Sequence, residues 1–370
     1  MRRRFKSAVC GALAGAFLLA QAGAGAVLAQ DFVPQEVDLQ DVKRIAILTY
    51  SFSSEYWGYV QQGCTAYDAA DTTVSIEVEG VSSSIAVDEQ ITMLKAELGS
   101  GKYDGYVIAA INEKMVEDVL KNETVPVVAI NTPLEVPCVI GGIGTDNEVA
   151  AAAGAKKAVD MAKETGLEKP QCVMIGGFED EYNNENRVRG FRRGIEENGG
   201  IWMDKVYATD KSAEGAREAM DQIMKDYPDG ISIIVCYNDL LASSALEEAI
   251  ENPAFADTVF LGFDGNGSIC DRIMNDERYA KMVTVAQNSY EMGFHAVEML
   301  SQYFHAQEEA DVVKESSAEA IQAGANQDGG NQAEANQPET EESNWKDSGY
   351  AVITKINVQE RMIQIQSHLS

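Results

Sequence analysis

Histidine is almost missing from this chain: His295, His305 and His368 are the only three in 370 residues. The first two lie ten positions apart on one helical pattern and none has a ligand pair beside it, so neither a metal site nor histidine-based proton transfer is expected. No serine occupies a GxSxG elbow. The glycine pairs at 141–142 and 176–177 complete neither GxGxxG nor a phosphate-binding loop, so no nucleotide site is expected. With no nucleophile and base brought together by a motif, neither an enzyme nor a cofactor is expected. Cysteine is scarce too. Cys10 falls in the N-terminal segment, and Cys64, Cys138, Cys172, Cys236 and Cys270 form an odd set without a CxxC, which argues against a complete disulfide framework or a zinc site. Cys172 and Cys236 stand in strand-like runs and read as small core residues. Basic residues are few, 29 Lys and Arg against 59 Asp and Glu, for a net charge of -30. Such a surface repels phosphate backbones, so no nucleic-acid partner is expected.

What is present begins with a targeting signal. Arg2, Arg3, Arg4 and Lys6 precede the apolar run AVCGALAGAFLLA, and Val27, Leu28 and Ala29 offer a small-residue cleavage site before Gln30. Residues 1–29 therefore read as a secretory signal peptide, which places the mature chain outside the cytoplasm, in the periplasm or on the outer face of the membrane. The stretch from Ala8 to Ala29 is also nearly long enough to span a bilayer, so an uncleaved anchor is the alternative. Cys10 comes too early for lipoprotein processing.

From Arg44 onward, short β-rich runs alternate with longer helical patterns. Eleven strands are expected, near 44–48, 74–78, 105–109, 126–130, 138–141, 172–175, 202–207, 231–235, 258–261, 282–286 and 350–356. Nine helices are expected between them, near 55–70, 88–98, 114–121, 147–165, 186–198, 213–226, 239–251, 267–276 and 289–305. Alternating β and α with nearly continuous apolar strands means parallel sheets covered on both faces. Eleven strands exceed one small sheet, so the expected fold class is α/β with two Rossmann-like, doubly wound lobes. The segment Glu315–Ser343, rich in Gln, Asn, Ala, Gly and Glu, reads as a disordered insertion.

The strand ends carry a second pattern. ISIIVC runs into Tyr237, Asn238 and Asp239, RIAIL into TYSFSSEYW, VPVVAI into Asn131 and Thr132, CVMI into GGFEDEYNNENR, TVFLGF into Asp264, and MVTVA into Gln287 and Asn288. Asp239 alone is explained as the N-cap of the next helix. A repeated supply of amides, acids and aromatics is not. In open parallel sheets ligands bind beyond the carboxyl ends of the strands, so these clusters are expected to wall a cleft between two lobes.

SSEYW (53–57), NRVRGF (186–191), CYND, GFDG (262–265) and AQN (286–288), in this order behind an export signal, resemble the type I periplasmic binding proteins of sugar transporters, especially the ribose-binding kind. The cytoplasmic LacI-type repressors share that fold, but here an export signal stands in place of their DNA-binding headpiece. The resemblance covers about 43–308 and the strand near 350–357. It implies a three-segment hinge near Thr145, Gln287 and Ile353, an N-terminal lobe of 41–144 plus 288–352, and a C-terminal lobe of 145–287 plus 353–370. It further implies that Tyr56 and Trp57 stack on a sugar ring, that Arg187 donates to hydroxyls, and that Asn238, Asp264 and Gln287 complete the polar shell. Ser54, Asn131 and Thr132 occupy matching site positions with altered residue types. Asn131 and Thr132 replace an Asp and Arg pair, and Glu55 stands where the pattern has proline, so the expected ligand is a neutral sugar or polyol other than ribose. The implied role is a monomeric solute-binding protein serving a membrane ABC permease, with a sensory module engaging a receptor or histidine kinase as the alternative.

Overall fold

The computed structural model describes residues 42–51, 54–83, 85–323 and 344–369. The signal segment lies outside them. The chain begins β1 (Lys43–Ser51), α1 (Glu55–Ala70), β2 (Val74–Val81), α2 (Val87–Ser100), β3 (Gly105–Ile108), α3 (Glu113–Leu120), β4 (Val127–Ile130) and β5 (Val139–Gly144). It continues as α4 (Asn147–Glu164), β6 (Gln171–Gly176), α5 (Tyr182–Glu197), β7 (Ile201–Ala208), α6 (Ala213–Asp226), β8 (Ile233–Cys236), α7 (Asp239–Ala249), β9 (Val259–Asp264), α8 (Gly267–Asn275) and β10 (Met282–Gln287). It closes with α9 (Ser289–Ala323), β11 (Trp345–Asp347), β12 (Tyr350–Ile353) and α10 (Val358–Leu369).

The strands form two six-stranded sheets, ordered β11-β5-β4-β3-β1-β2 and β12-β10-β9-β8-β6-β7. Every pairing is parallel except β12 against β10. The expected α/β class with two doubly wound lobes is therefore the observed one. Both faces of each sheet are covered, and the period of two in a strand shows how. In β1, Ile45 and Ile47 enter the core shared with α1 and α9, whereas Ala46 and Leu48 enter the core under α2 and α3. In β8, Ile233 and Val235 meet α4 and α5, while Ile234 and Cys236 meet α6 and α7. The cysteines from Cys64 to Cys270 are all free and buried.

Close helix packing depends on missing side chains. A Cβ on Gly63 of α1 would stand 2.0 Å from the carbonyl oxygen of Tyr290, and one on Gly293 of α9 would stand 1.9 Å from that of Val60. Only glycine on both helices permits this approach.

The chain passes from one sheet to the other after β5, after β10, and between β11 and β12. The third passage lies at Ser348 and Gly349, earlier than the expected position near Ile353, because β11, absent from the sequence reading, joins the first sheet and β12 already belongs to the second. Gly349 takes a left-handed φ of 77° there. The three passages are tied together: Thr145 Oγ1 lies 3.1 Å from Ser348 Oγ, and Asn288 Nδ2 donates to the Ser348 carbonyl at 2.8 Å.

Two further differences concern length. α9 runs to Ala323 instead of ending near 305, so residues 315–323 of the segment expected to be disordered are helical, in keeping with the helix propensity of its Ala, Glu and Gln residues. Residues 324–343 lie outside the described residues. α10 follows β12 where no helix was expected. Among the described residues no helix is long and apolar enough to cross a membrane.

Candidate functional site

Between the carboxyl ends of the two sheets lies a cavity of about 530 Å³. Of the nine residues singled out in sequence, Ser54, Tyr56, Trp57, Asn131, Arg187, Asn238, Asp264 and Gln287 line it. Thr132 is set behind Asn131, almost wholly buried.

The polar members form one hydrogen-bonded chain. Gln287 Nε2 donates to Asp264 Oδ1 at 2.9 Å. The Tyr56 hydroxyl stands 3.4 Å from Gln287 Oε1 and 3.1 Å from Asn131 Oδ1. Asn131 Nδ2 reaches Thr132 Oγ1 at 3.4 Å, and Asn183 Nδ2, from α5 of the other lobe, donates to the same hydroxyl at 3.2 Å. Asn147 Nδ2 donates to Asn183 Oδ1 at 3.0 Å, and Arg187 Nε donates to Asn147 Oδ1 at 2.8 Å. Arg187 ends the chain by donating to the Tyr237 carbonyl at 2.6 Å. Apart from Asp264 and Arg187 at its ends, this network is built of neutral amides and hydroxyls.

Arg187 is 3% exposed, and among the described residues no carboxylate lies within ion-pair distance of it. Its guanidinium is held over the rings of Phe263 and Tyr237, 3.8 and 4.7 Å from their centroids. The first lobe supplies an apolar wall in which Trp57 packs on Tyr50 at 4.5 Å and meets Tyr56 edge-on at 5.0 Å. Burial raises the Tyr56 phenol above its ordinary range and the Asp264 charge adds to this, so the hydroxyl stays protonated. Burial also pushes the Asp264 carboxyl up to about 6, against the opposing pull of Arg187 and of the Gln287 hydrogen bond.

Backbone strain gathers here. Four non-glycine residues among those described have positive φ, and Asn131 (69°), Lys211 (63°) and Asp264 (121°) all line the cavity. Such conformations cost about 1–3 kcal/mol each and persist where surroundings enforce them.

The end of β8 resolves differently from its sequence reading. Asn238, not Asp239, caps α7, its Oδ1 accepting from Leu241 N at 3.1 Å. Asp239 instead reaches the β9–α8 loop, accepting from Gly265 N at 2.8 Å, Asn266 N at 3.2 Å and Thr284 Oγ1 at 2.6 Å. It fixes the loop that presents Asp264. Burial, then the neighbouring Asp264 charge, raises its carboxyl well above the usual range.

Sequence reasoning passed over Tyr50, Asn147, Asn183 and Lys211. Tyr50 and Asn183 stood inside polar strand-end stretches already noted, TYSFSSEYW and NNENR. Lys211 gave no signal; its ion pair with Glu181 at 2.9 Å, each side chain 9% exposed, joins two loops far apart in sequence. The Tyr237 hydroxyl donates to the other Glu181 oxygen at 2.6 Å.

A two-lobed cleft lined by aromatics, amides and one buried arginine defines a binding protein, and comparison with known proteins agrees. Residues 45–308 match the family model described as periplasmic binding protein domain, and the chain belongs to that family. These are substrate-binding transport proteins, not enzymes. A D-apiose import binding protein from Paraburkholderia graminis is 27% identical over 136 residues, which is 37% of this chain and 42% of that protein's length. A carbohydrate transporter solute binding protein from Agrobacterium radiobacter, in complex with D-arabinose, superposes with a TM-score of 0.66 at 20% identity, covering 88% of this chain and 98% of the other. An arabinose binding protein from Geobacillus stearothermophilus gives 0.64 at 20% identity, covering 86% and 99%. At these identities the solved structures show the shared type I fold.

Proposed function

We propose that this chain is an exported solute-binding protein that captures a small neutral sugar or polyol in the interlobe cleft and delivers it to a membrane ABC transporter. The observation that carries the reading is the array of amides and hydroxyls between Asp264 and Arg187, in which the one Tyr56 proton faces two amide oxygens, beside an aromatic wall. A sugar offers matching chemistry: hydroxyls that both donate and accept, and C–H faces that pack on rings. The residues in the expected binding roles are Ser54, Tyr56, Trp57, Asn131, Arg187, Asn238, Asp264 and Gln287, with Thr132 supporting Asn131 from behind. The protein acts as a monomer and its lobes close on the ligand.

A thermal-shift screen of neutral monosaccharides and polyols tests this. At 100 times its dissociation constant a true ligand stabilises the folded chain by about 2.7 kcal/mol, and the shift changes little with salt. No shift with any neutral sugar, together with a salt-sensitive shift for a charged metabolite, would overturn the reading.

A further inference from the structure

Asn266 is the N-cap residue of α8, yet its side chain makes no capping hydrogen bond. Asn112 and Asn238 cap α3 and α7 in the usual manner, accepting from Met115 N and Leu241 N. At α8 that task is taken over from the opposite lobe. Glu55, in the first turn of α1, accepts from Ser268 N at 3.2 and 3.3 Å and from Ser268 Oγ at 2.6 Å, and Tyr59 donates to the same carboxylate at 2.6 Å. The missing side chain of Gly267 makes room, since a Cβ there would stand 2.9 Å from Glu55 Oε1 and 2.8 Å from the Tyr59 hydroxyl.

Displaced from its own helix, Asn266 Oδ1 is buried without a hydrogen-bond partner among the described residues, and Asn266 lines the cavity. A buried acceptor without a donor is costly, and a native structure tolerates few of them. We infer that Asn266 is a ligand-contacting residue, accepting a hydrogen bond from a sugar hydroxyl, and that Glu55 frees it for this by capping α8 across the cleft. The role rests on the sugar-binding reading and adds a residue to it. Closure and recognition are thereby coupled: lobes that separate withdraw Glu55, Asn266 turns back to cap Ser268, and the ligand loses an acceptor.

The test is isothermal titration of the purified protein against D-allose, D-arabinose, D-ribose, D-apiose and myo-inositol, taking as probe whichever the wild type binds most tightly. Asn266→Ala is expected to weaken that probe about tenfold and also to lower the ligand-free melting temperature, because the open form loses the cap to which Asn266 returns. Asn266→Ser, which keeps a capping oxygen on a shorter side chain, is expected to lose affinity similarly, and it serves if the alanine variant folds poorly. In a Glu55→Ala background, where the amide has returned to its helix, Asn266→Ala is expected to cost less than about threefold. A lowered ligand-free melting temperature with unchanged affinity would make Asn266 an ordinary cap, and an equal affinity loss in both backgrounds would sink the exchange with Glu55. If the wild type binds none of the five, the probe is the neutral sugar or polyol that gives the largest shift in the thermal screen, and if none there shifts it while a charged metabolite does, the sugar reading fails and the role of Asn266 falls with it. If the wild type binds and both Asn266 variants bind equally well, only the assignment of Asn266 is overturned.

Discussion

Gln287 donates to Asp264 across 2.9 Å, joining the second passage between the lobes to a partly buried carboxylate of the cleft. The bond pulls the Asp264 carboxyl down, but burial outweighs it and leaves the group at about 6.

A pH dependence of stability follows. In the unfolded chain an aspartate titrates near ~3.9. The folded value is higher, so between about 4 and about 6 the unfolded state holds fewer protons, and the contribution of Asp264 to stability falls as pH rises through that window. The loss is up to about 3 kcal/mol. Asp264→Asn, isosteric with the aspartate already held at a φ of 121°, should remove it. Urea unfolding of both forms from pH 4 to pH 7 checks this; parallel curves would contradict it.

Arg187→Ala should act on both binding and stability. The resemblance implies only a binding role for it, yet it is 3% exposed, and its removal strands the Tyr237 carbonyl and Asn147 Oδ1 and uncovers Phe263. A loss of about 2 kcal/mol in stability is expected, with about 30-fold weaker sugar binding. Calorimetric melting and titration measure the two separately; an unchanged melting temperature would contradict the structural role.

Asp239→Ala should destabilise the chain by about 2–3 kcal/mol, because it strands the Asn266 N–H and the buried Thr284 hydroxyl and leaves Gly265 N only its longer bond to Thr284 Oγ1. Affinity should fall as well, since the freed loop carries Asp264. Hydrogen exchange confined to residues 264–268 would report the loosening directly. Unaltered protection there would refute the loop-clamp role.

Gly63→Ala should destabilise more than any of these, beyond about 3 kcal/mol, since the added methyl would stand 2.0 Å from the Tyr290 carbonyl and α9 cannot retreat without leaving β3, β4 and β5. Denaturant melts of the variant provide the measure. A change under about 1 kcal/mol would show that the helices separate freely.

Much of the fold is local information. The apolar runs of β1, β4, β8 and β9 and the helical patterns between them specify parallel strands buried on both faces, and the residue types at their ends mark the cleft side of each sheet. The polar strand ends accordingly border one cavity, and eight of the nine residues that the family resemblance named line it. β11 and α10 were missed because three residues, Trp345 to Asp347, are too few for a periodic signal, and because the pattern near 350–356 reads as one strand until the sheets assign its neighbours to different lobes.

By itself the sequence determined the alternation of elements, the apolar faces and the chemistry available at each strand end, since periodicity and residue type act over a few positions. Tertiary structure alone decided which of those groups meet. Asp239 clamps a loop 26 residues away, Asn183 bonds Thr132 across the cleft, Lys211 pairs with Glu181, and Glu55 caps a helix 213 residues distant. Each choice among competing donors and acceptors depends on how two lobes approach, and an approach between segments so far apart leaves no periodic trace along the chain.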